Sequence, residues 1–283
     1  MEQQSASATL RVFAIERDIV IVEGSDARSY LQTQLTQDVM TLGLGQARWS
    51  FILDPQSAIE AFVRVTRIGQ DRLTLDTEAG FGDAVLSRLD GLLFRTDARF
   101  SQARWPGLAW RGQGARAMSV DAPIVGAVPL VGIEALDVVG PKVVVPPDAP
   151  VGEAAELERR RVEGGWPSMA FDIPDSTTPA MTGLVDITVS FDKGCYTGQE
   201  LVARTYHRGA APTRRLVAVR SDDLIDAGAA VLTAGESIGT VTSSHDGVGL
   251  AYVARAVETP LEAEVNDIVV RVSDLPSRVS AVG

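Results

Sequence analysis

The 283-residue chain is almost without cysteine and histidine, with one Cys (Cys195) and two His (His207 and His245). One thiol excludes an intramolecular disulfide, and it cannot hold an iron–sulfur cluster alone, because such clusters usually need four thiolates. These three side chains also fall short of a four-ligand zinc site unless carboxylates or a second chain contribute. We therefore predict no resident metal, and the near-absence of cysteine fits a reducing cytoplasm.

Basic residues are scarce as well, since 26 Lys and Arg stand against 37 Asp and Glu, for a net charge of -11. Phosphate contact needs a basic surface, so we expect neither a direct nucleic-acid partner nor an anionic membrane surface as partner. No stretch approaches the roughly 18 apolar residues of a membrane span. Residues 1–10 have no basic residue and no apolar run, which argues against a signal or transit peptide and favours the cytoplasm.

The hydrophobic pattern of the first half predicts a mixture of strands and helices. An apolar run at Val20–Val22 is followed by Gly24-Ser25-Asp26, where a helical pattern begins with Ser25 or Asp26 as its cap and with Tyr30, Leu31 and Leu35 on one face. Residues 59–68 alternate, a turn follows, and residues 72–76 return, which is typical of a β-hairpin. An amphipathic helix over residues 81–94 completes the order strand, turn, strand, helix, which indicates an α+β domain.

The secondary-structure signals in the second half of the sequence change twice. Residues 96–150 are rich in strand and loop signals, and residues 152–163 form a charged helix that Gly164, Gly165 and Pro167 end. From Leu216 onward, short strands alternate with turn signals. This pattern predicts a small β-barrel or sandwich of about 70 residues.

The segment 192–200 carries the clearest chemistry. Thr197 followed three residues later by Glu200 is a capping box, with Tyr196 and Leu201 placed as a hydrophobic staple, so a helix is expected to begin there. Cys195 stands just before that helix start and two residues after Lys193, and both features favour a thiolate. The alternative is an inert thiol, which is the usual state of a lone cysteine.

Lys193-Gly194-Cys195-Tyr196-x-Gly198-Gln199-Glu200 resembles the signature of the YgfZ family, which is related to the T-protein of glycine cleavage. The resemblance extends over most of the chain. Further matching stretches are Gly24-x-Asp26, Tyr30-Leu31-Gln32, Thr36-x-Asp38-Val39, Arg161-Val162-Glu163-x-Gly165-x-Pro167, Asp172-Ile173, Thr178-Pro179, Arg204-Thr205, Arg208-Gly209, Ile238-Gly239-x-Val241-Thr242-Ser243 and Gly249-Leu250-Ala251.

This resemblance implies an α+β fold of three domains, arranged as a clover leaf around a folate pocket, with a C-terminal small β-barrel. The expected domains are a discontinuous folate-binding domain (1–50 and 115–205), an inserted α+β domain (51–114) and the barrel (212–283). It also implies tetrahydrofolate or a derivative as cofactor. The implied function is that of an accessory protein for assembly or repair of iron–sulfur clusters in client enzymes, with Cys195 and Lys193 as the functional pair.

Three residues are expected to bind the folate. Glu163 matches the carboxylate that grips the pterin in the wider superfamily, although by itself it also reads as a solvated residue at a helix end. Trp166, like Trp49, is suited either to stacking on a flat ligand or to a core. Arg204 belongs to a basic patch that either binds the glutamate tail of the folate or is a solvated linker. The patch comprises Arg204, His207, Arg208, Arg214 and Arg215.

Two departures from the family pattern concern catalysis. After Leu53-Asp54-Pro55 this chain has Ser57-Ala58, where relatives often have Gly-Arg, and the acidic pair of the T-protein should fall near Glu60-Ala61, where one carboxylate remains. The alternative function, tetrahydrofolate-dependent aminomethyl transfer, is therefore disfavoured. A thiol-dependent enzyme using Cys195 is the other alternative, but it lacks a nearby base. The sequence identifies no complete catalytic set.

Overall fold

The computed structural model describes residues 9–208, 212–275 and 278. Its first half is built on one antiparallel sheet of seven strands in the order β2-β3-β4-β1-β5-β7-β6. The strands are β1 (Arg11–Glu23), β2 (Ala47–Leu53), β3 (Ile59–Arg67), β4 (Arg72–Glu78), β5 (Arg99–Arg111), β6 (Ile124–Ala127) and β7 (Ala135–Val139). The predicted hairpin is confirmed as β3 and β4, which pair directly.

Two helices, α1 (Ala27–Gln34) and α2 (Gly82–Asp90), cover one face of this sheet. Their apolar sides share a core with strands β1, β3 and β4. The residue before α2 provides no side-chain cap. Instead the buried carboxylate of Asp18 on β1 accepts the N–H groups of Gly80 and Gly82, at 2.7 and 3.1 Å, so the sheet itself supplies the acceptor that the helix start needs.

The sheet curls until its two edge strands approach each other. Trp49 on β2 donates its indole N–H to the carbonyl of Ala127 on β6 at 3.1 Å. A side chain at Gly126 on β6 would stand only 3.1 Å from the guanidinium of Arg64, so this edge tolerates no side chain there without displacing that group. The curl leaves an inner face that is screened from solvent.

That inner face holds a chain of buried charges. Arg64 donates from Nε and Nη2 to the two oxygens of Asp76, at 2.9 and 3.1 Å, and its Nη1 lies 3.4 Å from Asp137. Arg17 donates to Asp76 at 3.0 Å, and Arg111 lies 2.8 Å from Asp137. Burial alone would raise the pKa of Asp137, but Arg111 and Arg64 outweigh it and hold that pKa below its ordinary value. Alternating charges therefore tie five strands together.

Four helices follow the sheet: α3 (Ala154–Glu163), α4 (Pro179–Thr182), α5 (Val185–Thr188) and α6 (Gln199–Arg208). A 3-10 turn lies earlier, at Ala115–Ala117. The charged helix expected at 152–163 is confirmed as α3. The segments around α5 and α6 share an apolar cluster with Trp49, Phe62 and Trp166. Each described helix is too short or too polar to cross a bilayer.

The predicted C-terminal barrel is confirmed. Six strands close in the order β10-β11-β8-β13-β12-β9. They are β8 (Arg214–Arg220), β9 (Ala230–Thr233), β10 (Glu236–His245), β11 (Val248–Ala254), β12 (Leu261–Val265) and β13 (Ile268–Asp274). Alternate valines fill the barrel interior, which is how a small barrel replaces solvent inside.

The α+β class is confirmed by these elements, while the division of the first half remains a prediction. Strands from residues 11–139 form one hydrogen-bonded sheet. The predicted boundary at residue 51 falls inside β2, which spans Ala47–Leu53.

Replacing Arg64 by Met should lower the free energy of unfolding by about 3–5 kcal/mol, because the buried carboxylates of Asp76 and Asp137 lose their shared cation. Urea unfolding monitored by circular dichroism measures this change. Arg72→Met is the matched control, since Arg72 and its partner Glu23 are about half exposed (50% and 45%) and such a pair contributes about 0–1 kcal/mol. Equal effects of the two substitutions would contradict a structural role for the buried chain.

Candidate functional site

The segment 193–200 leads into α6 and presents the thiol of Cys195; we call it the thiol loop. Cys195 is exposed, whereas its neighbour Tyr196 is buried in the apolar cluster around Trp49 and Trp166. The structure thus places Cys195 in an exposed loop and not in a core. Contacts made by the other residues of the loop hold its backbone in the position that leaves the thiol facing outward.

Lys193 anchors the loop to the end of α1. Its ammonium donates to the backbone carbonyls of Gln32, Leu35 and Gln37, at 2.6, 2.5 and 3.0 Å. A cation is favourable there, because the last carbonyls of a helix carry partial negative charge. Burial lowers the pKa of Lys193 to about 8, while the charge of Asp38 opposes the shift. The ammonium thus has a structural task, and its predicted influence on the Cys195 thiol stays a prediction.

Gly198 is required by the close approach of another loop. Its φ is +77°, and a Cβ there would stand 2.5 Å from the carbonyl oxygen of Asp54 and 3.0 Å from Leu53. The Ser57 hydroxyl donates to the carbonyl of Gly198, and Ser57 itself has a positive φ of 69°. The family departure at Ser57 therefore lies directly beneath the thiol loop, in a backbone region where glycine is usual.

The predicted capping box is wrong in its register. Because Gly198 has a left-handed conformation, α6 begins at Gln199. The Oε1 of Gln199 accepts the N–H of Tyr196 at 3.2 Å, while the N–H of Thr197 donates to the carbonyl of Thr33 at 3.2 Å. Glu200 is exposed, so Gln199 performs the back-bonding that was expected of Glu200. Leu201 is 40% exposed, which does not suit a staple.

A second feature is a cleft of about 300 Å³ on the inner face of the curled sheet. Trp49 and Trp166 form an aromatic wall, with ring centroids 4.8 Å apart and planes at 69°. Charged groups of both signs surround it. The charged lining residues are Glu16, Arg17, Glu78, Arg111, Asp137, Glu158 and Arg161. An aromatic wall with convergent polar groups is typical of small-molecule sites.

The three predicted folate residues are not brought together in this cleft. Trp166 lines it, but Glu163 and Arg204 are not among its lining residues. Glu163 accepts from Nε of Arg159, one helical turn earlier, at 3.1 Å. Arg204 is exposed on α6. The assignment of Glu163 and Arg204 to a folate site therefore stays a prediction.

Sequence reasoning missed the charged residues of the cleft. Arg17 and Arg111 lie on strands β1 and β5, far apart in sequence, and no short motif connects them. Only the pairing of the strands brings them onto one wall. Arg161 and Glu158 did offer a signal, because residues three apart on a helix face the same side, and they form an ion pair of 2.6 Å.

Arg161 also connects the cleft with the barrel. It donates to the buried carboxylate of Asp172 at 2.7 Å and to the hydroxyl of Ser243 on β10 at 2.7 Å. Asp172 in turn accepts from Ser243 at 2.8 Å and from the Thr242 hydroxyl. The predicted motif residues at 161, 172, 242 and 243 thus meet at one place, where they join α3 to the barrel.

Two members of the basic patch have partners on the barrel. Arg214 stacks on the ring of Tyr252 at 4.8 Å, and Arg215 pairs with Asp274 at 3.0 Å. The side chains of His207 and Arg208 lie outside the described residues, as does Gly209. The role of the patch in holding a glutamate tail remains a prediction.

The remaining carboxylate of the expected catalytic pair is already engaged. Glu60 on β3 forms an ion pair with Arg88 of α2, and Ala61 is buried in the core beneath that helix. His245 pairs with its neighbour Asp246 at 3.3 Å, on the barrel. Among the described residues, no three His, Cys, Asp or Glu side chains converge as a metal site would require.

Comparison with known proteins gives a consistent set of relatives. The family model "CAF17, C-terminal beta-barrel domain" matches residues 213–276. The chain is 35% identical over 137 residues to the human "Iron-sulfur cluster assembly factor IBA57, mitochondrial", covering 45% of this chain and 38% of that protein. It is 25% identical over 207 residues to "tRNA-modifying protein YgfZ" of Vibrio vulnificus, covering 68% of this chain and 64% of the relative. The matched segments thus span less than two thirds of either relative.

The fold is shared with a solved structure. The aminomethyltransferase T of the glycine cleavage system from Bartonella henselae superposes with a TM-score of 0.74 over 95% of this chain and 86% of that one, at 22% identity. At that identity the likeness establishes the fold alone. It confirms the expected T-protein-like arrangement with a C-terminal barrel.

Substituting Gly198 by Ala should destabilise the protein by about 1–3 kcal/mol, because the new Cβ meets the Asp54 carbonyl and the left-handed conformation is strained. Gly194→Ala is the matched control from the same loop, since a Cβ there meets nothing within 4 Å. Chemical denaturation of both variants gives the comparison. A loss at residue 194 equal to that at residue 198 would contradict the steric explanation.

Alkylation should report the exposure of the thiol directly, because Cys195 is the chain's one cysteine. We expect iodoacetamide to label the native protein once per chain, at a rate within about tenfold of the urea-unfolded protein. Intact-protein mass spectrometry follows the reaction, with Cys195→Ala as the unlabelled control. Protection of the native thiol beyond that range would show that the loop hides it.

Proposed function

We propose that this chain, which resembles YgfZ and IBA57 proteins and has the T-protein-like fold with a CAF17-type C-terminal barrel, is a folate-binding accessory protein. Its task in this proposal is to support the assembly or repair of iron–sulfur clusters in client enzymes. Cys195 is the residue that acts on the client or its cluster.

The main support for the proposal is that some residues of the thiol loop fix its backbone while Cys195 does not. Lys193, Tyr196, Gly198 and Gln199 are each used to hold the loop in place. Cys195 is exposed and has no such task. A loop that is anchored so thoroughly and still leaves its one thiol accessible suits chemistry toward another molecule rather than packing.

The presence of a single thiol also limits how this chain can interact with an iron–sulfur cluster. Clusters are usually held by four thiolates, and this chain has one cysteine. Cys195 therefore suits a transient ligand or thiol reagent on a cluster that another protein carries. The name of the human relative, an iron–sulfur cluster assembly factor, supports this direction.

The cleft supports the folate part of the proposal. A folate combines a flat pterin with an aminobenzoyl ring and carboxylates, and the cleft offers an aromatic wall together with carboxylates and guanidinium groups. The residues present therefore fit such a ligand. When bound, a tetrahydrofolate would supply a carrier of one-carbon units, and Trp49 and Trp166, which pack against each other, would shield one side of its ring from water.

Two alternatives are less well supported. Aminomethyl transfer is disfavoured, because the one carboxylate near the expected acidic pair is paired with Arg88. A thiol-dependent enzyme would need a base beside Cys195, and His245 lies in the barrel next to Asp246. Aminomethyl transfer also gives no reason for anchoring the loop around an exposed thiol.

The expected partners are a folate and iron–sulfur client proteins or their assembly machinery. The Vibrio relative's name mentions tRNA modification, yet a net charge of -11 disfavours direct contact of this chain with RNA phosphates. We therefore propose that any link to tRNA runs through a client enzyme. Cytoplasmic localisation stays our prediction, although the human relative is named as mitochondrial.

The proposal predicts that Cys195→Ala separates ligand binding from function. The variant should fold normally and bind tetrahydrofolate with wild-type affinity in calorimetry, because the exposed thiol supports neither the loop nor the cleft. It should fail to restore the activity of iron–sulfur enzymes in cells that lack this protein. Lys193→Met should be impaired too, but with reduced stability, since three carbonyls lose their donor.

The control is Gly194→Ala, which changes the neighbouring residue in open space and should complement. Full complementation by Cys195→Ala, together with transfer of an aminomethyl group to tetrahydrofolate by the purified protein, would favour the aminomethyltransferase alternative. Absence of tetrahydrofolate binding by the wild type would remove the folate part and leave the thiol part standing.

A further inference from the structure

Arg17 holds an unusual position in the cleft. Its side chain is only 12% exposed, it lines the cleft, and its Nε donates to Asp76 at 3.0 Å. Within residues 9–208, 212–275 and 278, no acceptor binds its two Nη atoms. Two strong donors thus stand at the cleft wall without a protein partner.

None of the nearby carboxylates in the described part of the chain accepts a hydrogen bond from these two Nη atoms. Glu78 lies opposite Arg17 in the strand register, but its carboxylate accepts from the Ser168 hydroxyl at 2.7 Å and from the Met169 N–H at 2.9 Å. Glu158 is held by Arg161 at 2.6 and 2.8 Å. Glu16 is exposed and forms no ion pair in the described part of the chain.

The buried chain behind Arg17 has more guanidinium groups than carboxylates. Three guanidinium groups, those of Arg17, Arg64 and Arg111, share two carboxylates, those of Asp76 and Asp137, and Arg17 reaches one of them, Asp76, through Nε alone. A further anionic acceptor on the remaining donors of a poorly solvated guanidinium is favourable. Of the three cations, Arg17 has the free donors on the cleft side.

We propose that Arg17 binds a carboxylate of the cleft's ligand, while the ligand's aromatic ring rests on the wall of Trp49 and Trp166. The ligand class is therefore an aromatic ring compound with a carboxylate. Asp76 fixes the guanidinium through Nε, so that the two Nη atoms are presented as a fork, the geometry that suits carboxylates.

This inference rests on the proposed function insofar as the ligand is a folate, and it then assigns the glutamate carboxylate to Arg17. Arg204, which is exposed on α6, is the alternative residue for binding that glutamate carboxylate. The two assignments predict opposite results for the corresponding substitutions.

The test compares the whole folate with two smaller ligands, each of which represents one half of it. Calorimetry measures the binding of tetrahydrofolate, of 4-aminobenzoyl-glutamate and of 6-methyltetrahydropterin, which has no carboxylate. Arg17→Met should weaken the two carboxylate ligands by about 10- to 100-fold, the loss expected for one charge-assisted hydrogen-bonded pair. Its affinity for 6-methyltetrahydropterin should match the wild type, which also shows that the cleft is intact. Arg204→Met should bind all three as the wild type does.

Several results would overturn the inference. They are an unchanged affinity of Arg17→Met for tetrahydrofolate, an equal loss for all three ligands, or a selective loss in Arg204→Met. The proposed function survives each of these as long as the wild type binds tetrahydrofolate. If the wild type does not bind tetrahydrofolate but binds 4-aminobenzoyl-glutamate through Arg17, the inference stands and the folate assignment falls. Binding of none of the three ligands overturns both.

Discussion

The burial of Arg64 inside the curled sheet is the constraint on which the rest of the structure depends. A guanidinium that is 1% exposed is stable only with carboxylates around it, and Asp76 and Asp137 reach it from strands on either side of β1 and β5. The same ion pairs hold the two ends of the sheet close enough for Trp49 to bond to β6. The cleft, its aromatic wall and the presentation of Arg17 all follow from that curvature. The interior of this sheet therefore combines a chain of charges with apolar clusters, whereas its outer face and the barrel are organised by apolar packing alone.

The thiol loop uses a different principle, in which backbone groups rather than side-chain ion pairs fix the geometry. Lys193 bonds to three carbonyls, Gly198 lies against the Asp54 carbonyl, and Gln199 returns to a backbone N–H. Such contacts depend little on the identity of surrounding side chains, so the loop can be placed accurately while its surface varies. This arrangement separates the part of the molecule that positions the thiol from the part that lines the cleft. The two regions meet in the apolar cluster that includes Tyr196, Trp49 and Trp166.

Much of the fold could be predicted from the sequence, because its signals are local. Alternation over residues 59–76 and the short strands after Leu216 predicted the hairpin and the barrel, and the loop with Cys195 was recognisable as a motif. The start of α6 could not be placed, because the steric demand on Gly198 comes from Leu53 and Asp54, which are distant in sequence. Arg17, Arg64 and Arg111 were missed for the same reason: their roles arise only when five strands pair. Glu163 was assigned to a ligand from its motif; the structure gives it a bond to Arg159, and its contact with a folate remains a prediction.

The junction at Asp172 has a consequence for how freely the barrel can vary in evolution. This carboxylate is fully buried, and two of its donors, Thr242 and Ser243, belong to the barrel, while Tyr252 donates to its backbone carbonyl at 2.9 Å. A barrel borrowed from another protein would leave a buried anion short of donors unless it brought hydroxyl groups at the same places. The C-terminal barrel is therefore not an interchangeable module. Domain exchange by recombination should succeed only when the breakpoint keeps the loop of Asp172 and β10 together.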